Sequence, residues 1–162
     1  MWISATHLKN FLLKDHLVDW LKEYSTRKCV IKQDNKFVSF IMKKGEQFEE
    51  SIVDYINNNK LPVVTVSTRC DEKSYKKTIK LMKEGCPIIH SAPVKNTKNN
   101  TRGIIDLLVR NDYIHKLIDI PPVIEDSIAP KLNGNYHYVI VDIKFSTIPM
   151  RSNGVNILNI GR

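Results

Sequence analysis

Two stretches of this chain are apolar almost from end to end yet carry charges inside them. GIIDLLVR (103–110) contains Asp106, and YHYVIVDIKF (136–145) contains Asp142 and Lys144. Near-continuous apolar runs of this length read as strands covered on both sides of a sheet. Alternation puts Ile104, Asp106 and Leu108 on one face of the first strand and Ile105, Leu107 and Val109 on the other. In the second, Tyr138, Ile140, Asp142 and Lys144 share a face opposite Val139, Val141, Ile143 and Phe145. A carboxylate buried there is costly unless it is paired or bound to metal. Two readings of Asp142 and Lys144 are open. They lie at a strand end, solvated, or they belong to a site. Asp106 on the preceding strand favours the site, because two carboxylates converging from adjacent strands make an oxygen-rich pair suited to Mg²⁺. A lysine beside it can act on a water or hold charge developing on phosphorus.

The remaining pattern places these strands in an α+β or mixed α/β domain, a central mixed sheet flanked by helices over residues 1–162. Residues 4–24 show apolar positions at three- and four-residue steps (Leu8, Phe11, Leu12, Leu17, Trp20, Leu21, Tyr24), predicting one or two helices capped by Ser4 or Thr6. Residues 28–42 read as a short strand pair around QDNK. A helix is expected over 45–57, a strand over 61–67, and a helix over 72–84 with Tyr75, Ile79 and Met82 aligned and Gly85 as its stop. PIIHSAPV (87–94) is a third long strand candidate. A short helix near 111–118 and a loop over 119–135 complete the chain.

The helix at 45–57 adds acids. Glu46, Glu50 and Asp54 step by four along a solvated face. Glu49 is offset toward the apolar stripe of Phe48, Ile52 and Val53, either as an ordinary boundary residue or as a third carboxylate brought to the strands.

Lys and Arg number 25 against 17 Asp and Glu, a net charge of +8 with a pI near 9.4. That surplus favours an anionic partner, nucleic acid foremost. VKNTKNNTRG (94–103) carries Lys95, Lys98 and Arg102, and Lys43 and Lys44 precede the Glu49 helix. These are candidate phosphate contacts or, for the 94–103 loop, a solvated hairpin tip. His90 is a core or DNA-contact histidine. The lysines of 72–84 (Lys73, Lys76, Lys77, Lys80, Lys83) read as a solvated face. Cys29, Cys70 and Cys86 contain no CxxC pair, which argues against a disulfide framework or a four-cysteine metal site and for a reducing, intracellular setting. No apolar run reaches the length of a membrane span, and the first residues lack a signal-peptide layout.

GEQFEE, GIIDLL and YVIVDIK, in that order, resemble the metal-dependent PD-(D/E)xK nuclease superfamily and within it the RecB-like exonuclease branch, including its large-DNA-virus members. Gly45 and Glu49 match a G-x-x-x-(H/E) element on the first core helix. Gly103 and Asp106 match a strand G-x-x-D. Asp142, Ile143 and Lys144 match (D/E)-x-K. WISATHLKNFL and DWLKEY resemble that branch's helical lead-in, here 1–44 ahead of a core at 45–162. The resemblance implies a restriction-endonuclease-like core and a DNA nuclease. Asp106, Asp142 and the Ile143 carbonyl would hold Mg²⁺ or Mn²⁺, Glu49 would complete the shell, and Lys144 would orient or deprotonate the attacking water. The family continues with a further helix, often bearing Q-x-x-x-Y, and a strand. Only 18 residues follow Lys144, and no Gln occurs after Gln47. The resemblance therefore implies a core that stops early, with a homodimer or a longer protein covering the end. A non-catalytic nucleic-acid-binding or assembly module of the same fold is the alternative, and an unrelated basic α/β binding protein is a third.

Overall fold

The computed structural model describes residues 2–4, 12, 14, 16–25, 36–118 and 129–145. In chain order they form strand β1 (Ile3–Ser4), helix α1 (His16–Tyr24), helix α2 (Lys36–Asn58), strand β2 (Val63–Thr65), helix α3 (Glu72–Lys83), strands β3 (Ile88–Asn96) and β4 (Thr101–Arg110), helix α4 (Ile114–Leu117) and strand β5 (Tyr138–Val141). The sheet runs β1-β4-β3-β2, with β5 also on β4. β1–β4 and β2–β3 are parallel; β3–β4 and β4–β5 are antiparallel. The expected α+β class with a mixed open sheet and flanking helices is the one observed. β3 takes one edge of β4 along most of its length. β1 and β5 therefore share the other, at Thr101–Arg102 and at Leu107–Arg110.

Each sheet face carries its own cluster. On one, α2 packs Ile52 and the buried Ile56 over Ile88, Leu107, Val109 and Ile114. On the other, α3 sets Leu81 and Met82 against Ile89, Ala92 and Leu108. Burying each Ile or Leu contributes about 1.5–3 kcal/mol. The expected Tyr75–Ile79–Met82 stripe is half-buried, with Met82 on the sheet, and the most deeply buried residues of α3 are Ser74 and Thr78. Small side chains let the helix lie close to the sheet, and the Thr78 hydroxyl donates to the Ser74 carbonyl at 3.2 Å. Asp71 caps α3, accepting from the Ser74 amide at 2.8 Å. That bond lowers its pKa.

α3 ends at Gly85, whose φ of +73° suits glycine. Three side chains from distant segments take up carbonyls there. Arg110 donates to the Gly85 carbonyl at 2.6 Å, Tyr136 to Met82 at 2.8 Å, and Tyr138 to Cys86 at 2.6 Å. Arg110 also grips Asp112 through the Nε–Nη2 edge of its guanidinium, at 2.6 and 2.8 Å. This bidentate hydrogen bond holds the Asp112 carboxyl below its usual range.

Several expectations are corrected. Residues 36–42, read as part of a strand pair, are the opening turns of α2; residues 28–35 lie outside the described ones. KFVSFIM favours strands, but no proline separates it from 45–57, and extending a nucleated helix adds a hydrogen bond per residue. Gly45 does not interrupt that helix. Ser4, read as a possible cap, lies in β1 opposite Arg102; Thr6, Leu8 and Phe11 lie outside the described residues. The strand read over 136–145 ends at Val141, and Ile140 is 65% exposed, so β5 is not covered on both sides. Alternation also fails in the long strands. Ile89 and Ala92 pack in one cluster, as do Ile105 and Leu108, although each pair is three residues apart. The slip falls at buried Ser91, which has a φ of +48°, and at Asp106 opposite it. A non-glycine residue in that region stores strain.

Candidate functional site

The β4–β5 register, continued one residue past Leu107↔Val141, sets Asp106 opposite Asp142. Asp106 is half-buried, and its Oδ2 accepts the Ile143 amide at 2.8 Å. Asp142 and Lys144 lie just past β5 and are exposed, and Lys144 Nζ donates to Asp142 Oδ1 at 2.8 Å. That hydrogen bond, with the charges of Asp142 and Asp106, raises the Lys144 pKa. The structure brings Asp106, Asp142, Ile143 and Lys144 into one neighbourhood.

Glu49 is engaged elsewhere. From α2 its Oε1 meets His90 Nε2 at 2.8 Å, and His90 Nδ1 meets the Thr65 hydroxyl at 3.1 Å. His90 is largely buried, with 14% of its side chain exposed against 35% for Glu49. The three side chains reach across α2, β3 and β2 because Thr65 and His90 are direct neighbours in the parallel pair. They line a groove of about 380 Å³ with Glu46, Asp54 and Ser91. Sequence reasoning singled out His90 but missed Thr65 and Ser91. No spacing signals the parallel β2–β3 register that joins Thr65 to His90, and nothing local announces the kink at Ser91.

The basic candidates separate. Lys43 and Lys44 are exposed on α2, with Lys44 Nζ 5.8 Å from the centre of the Phe40 ring. Lys98 and Arg102 are exposed at the β3–β4 turn and its flank. Lys95, expected beside them, is tied down. It pairs with Glu72 and lies 4.6 Å from the Tyr75 ring and 5.6 Å from the Trp2 ring, with 20% of its side chain exposed. The lysines of α3 are exposed as expected, although Lys77 donates to the Thr65 carbonyl at 3.1 Å.

For a metal, the donor chemistry is hard oxygen. Asp106 and Asp142 each have one oxygen committed to a neighbour and a second one besides. Mg²⁺ commonly takes one or two carboxylates and completes its shell with water and substrate phosphate. The pair suits that use. Among the described residues no group of three His, Cys, Asp or Glu side chains comes together as a metal cage, and one oxygen of Glu49 is bonded to His90. Cys70 and Cys86 are free thiols, and burial raises the Cys86 pKa. Among the described residues no helix is long and apolar enough to cross a membrane.

The motif glycines have no packing role. A Cβ at Gly45 or Gly103 would meet nothing within 4 Å. No family model, curated protein or solved structure matches the chain.

Proposed function

We propose that this chain is a metal-dependent nuclease that hydrolyses DNA phosphodiester bonds, in the manner of the RecB-like exonucleases it resembles. The observation that carries this reading is the meeting of Asp106 with the Asp142-Ile143-Lys144 segment through the 2.8 Å bond from the Ile143 amide. That bond fixes the relative position of the two carboxylates. Asp106, Asp142 and the Ile143 carbonyl would hold Mg²⁺ or Mn²⁺. When bound, such an ion neutralises phosphate charge and lowers the pKa of a coordinated water. Lys144, bonded to Asp142, would orient or deprotonate the attacking water and offset charge on the phosphate. Lys98 and Arg102 supply phosphate contacts that position the strand without reading its sequence.

The direct test is incubation of linear DNA with the protein and Mn²⁺, repeated with Asp142→Asn. Cleavage by the unmodified protein and loss in the variant is expected. Cleavage that survives the substitution defeats the site assignment. A second reading, a nucleic-acid-binding module that has kept the fold without the chemistry, is favoured by one observation. Glu49 is bonded to His90 and adds no third carboxylate to the pair. DNA binding without cleavage by the unmodified protein selects that reading.

A further inference from the structure

We propose that the groove between α2 and the end of β5 receives an unstacked base of a single-stranded nucleic acid, an inference that rests on the nucleic-acid function proposed above. The groove measures about 270 Å³ and is walled by Phe48, Tyr55, Leu117 and Ile118, with Asp142 and Lys144 at its mouth. Its walls are apolar and open to solvent: Phe48 is 39% exposed, Tyr55 52% and Ile118 42%. Phe145, 47% exposed, extends the aromatic surface. Its ring centre lies 6.0 Å from that of Phe48 at a 54° tilt, a tilted aromatic contact.

The chemistry selects the occupant. The exposed rings of Phe48 and Tyr55 suit a π-face, and the charged residues of the lining, Asp142 and Lys144, are exposed. Lys144, paired with Asp142, is the cation that lines the groove. A nucleotide fits this division, base inward and phosphate outward, because base stacking on aromatic rings and cation contact along the backbone are how single strands are held without sequence preference. A duplex keeps its bases stacked and cannot offer one to the groove without paying for unstacking. A second copy of the chain would bring another net charge of +8 against this one's +8. At about 270 Å³ the space lies below the usual range of roughly 300–1,000 Å³ for drug-sized ligands. The position beside Asp142 and Lys144 places an anchored base next to the proposed scissile phosphate.

The test uses a short single-stranded oligodeoxynucleotide containing 2-aminopurine, titrated in EDTA so that no cleavage chemistry takes part. The expected result is quenched fluorescence on binding, with weaker binding of the corresponding duplex. Tyr55→Ala and Phe145→Ala should each weaken binding roughly tenfold and relieve part of the quench, while Tyr55→Phe retains both. Thermal melts establish that the variants are folded. Folded alanine variants that bind and quench like the unmodified protein overturn the inference, as does tighter binding of the duplex, or no binding at all. Metal-dependent cleavage that persists when the groove variants bind normally keeps the nuclease reading and discards this one.

Discussion

The backbone amide of Ile143 donates to the Asp106 carboxylate across 2.8 Å, so the chain just past β5 is held to β4 by a side chain and not by the strand ladder. Asp106→Ala leaves that half-buried amide without its acceptor, a loss of about 1–3 kcal/mol in urea melts. Asp106→Asn keeps an acceptor oxygen and is expected to cost less. The opposite order would show that the bond does not hold the segment.

The same pair of aspartates makes a ligand-linked prediction. Mn²⁺ in hundredfold excess over its dissociation constant should stabilise the protein by about 2.7 kcal/mol. The thermal shift should vanish in both Asp106→Asn and Asp142→Asn. A protein whose melting is indifferent to Mn²⁺ and Mg²⁺ has no metal site at this position.

Glu49 and His90 are coupled across α2 and β3. A double-mutant cycle with Glu49→Gln and His90→Ala should return an interaction energy of about 0.5–3 kcal/mol, as for residues in direct contact. Additive effects within about 0.3 kcal/mol would mean that the two side chains are held by their surroundings independently.

The basic residues divide into structural and solvent-facing members. Lys95→Met removes the Glu72 pair and the cation at the Tyr75 ring, and should lower stability by about 1 kcal/mol. Lys98→Ala and Arg102→Ala should leave melting unchanged and reduce the slope of log affinity against log salt for DNA by about one each. A salt slope that changes with Lys95 but not with Lys98 or Arg102 would reverse the assignment.

Burial pushes the Tyr138 hydroxyl up from its ordinary value, while it donates to the Cys86 carbonyl. Its folded pKa exceeds the unfolded value near 10, so its contribution is intact below about pH 10 and is lost as pH rises further. Tyr138→Phe should cost about 1 kcal/mol at neutral pH and flatten the alkaline limb of the stability profile. An unchanged alkaline limb would place the titration elsewhere.

Much of the sheet was legible, and for a definite reason. β3 and β4 are long, and their buried stretches, Ile88–Ile89, Ala92–Pro93 and Leu107–Val109, show as apolar sequence. The end of α3 was announced by Gly85. Asp106 stood out because a charge there conflicts with its neighbours. The failures share one cause, which is that tertiary partners decide what local pattern leaves open. FVSFIM has the composition of a strand and joins a helix because the chain on its C-terminal side is already helical. Asp142 and Lys144 fit the alternation of a strand that stops one residue earlier. The link from Glu49 through His90 to Thr65 depends on a parallel pairing with no local signature, so the bond that engages one oxygen of this acid was not legible.

The side chains gathered at the end of α3 have a consequence for how the molecule opens. Arg110, Tyr136 and Tyr138 fasten one end of β4 to carbonyls far away in sequence, whereas the segment after Val141 is held by the single Ile143 contact among its described backbone groups. Native-state hydrogen exchange should therefore be slowest at Ile88, Ile89 and Val109 and fastest near Lys144. The acidic pair spans that gradient. Asp106 is rooted in the slow-exchanging sheet, while Asp142 is carried on a strip joined to it by the Ile143 amide and by the packing of the Ile143 side chain on the core.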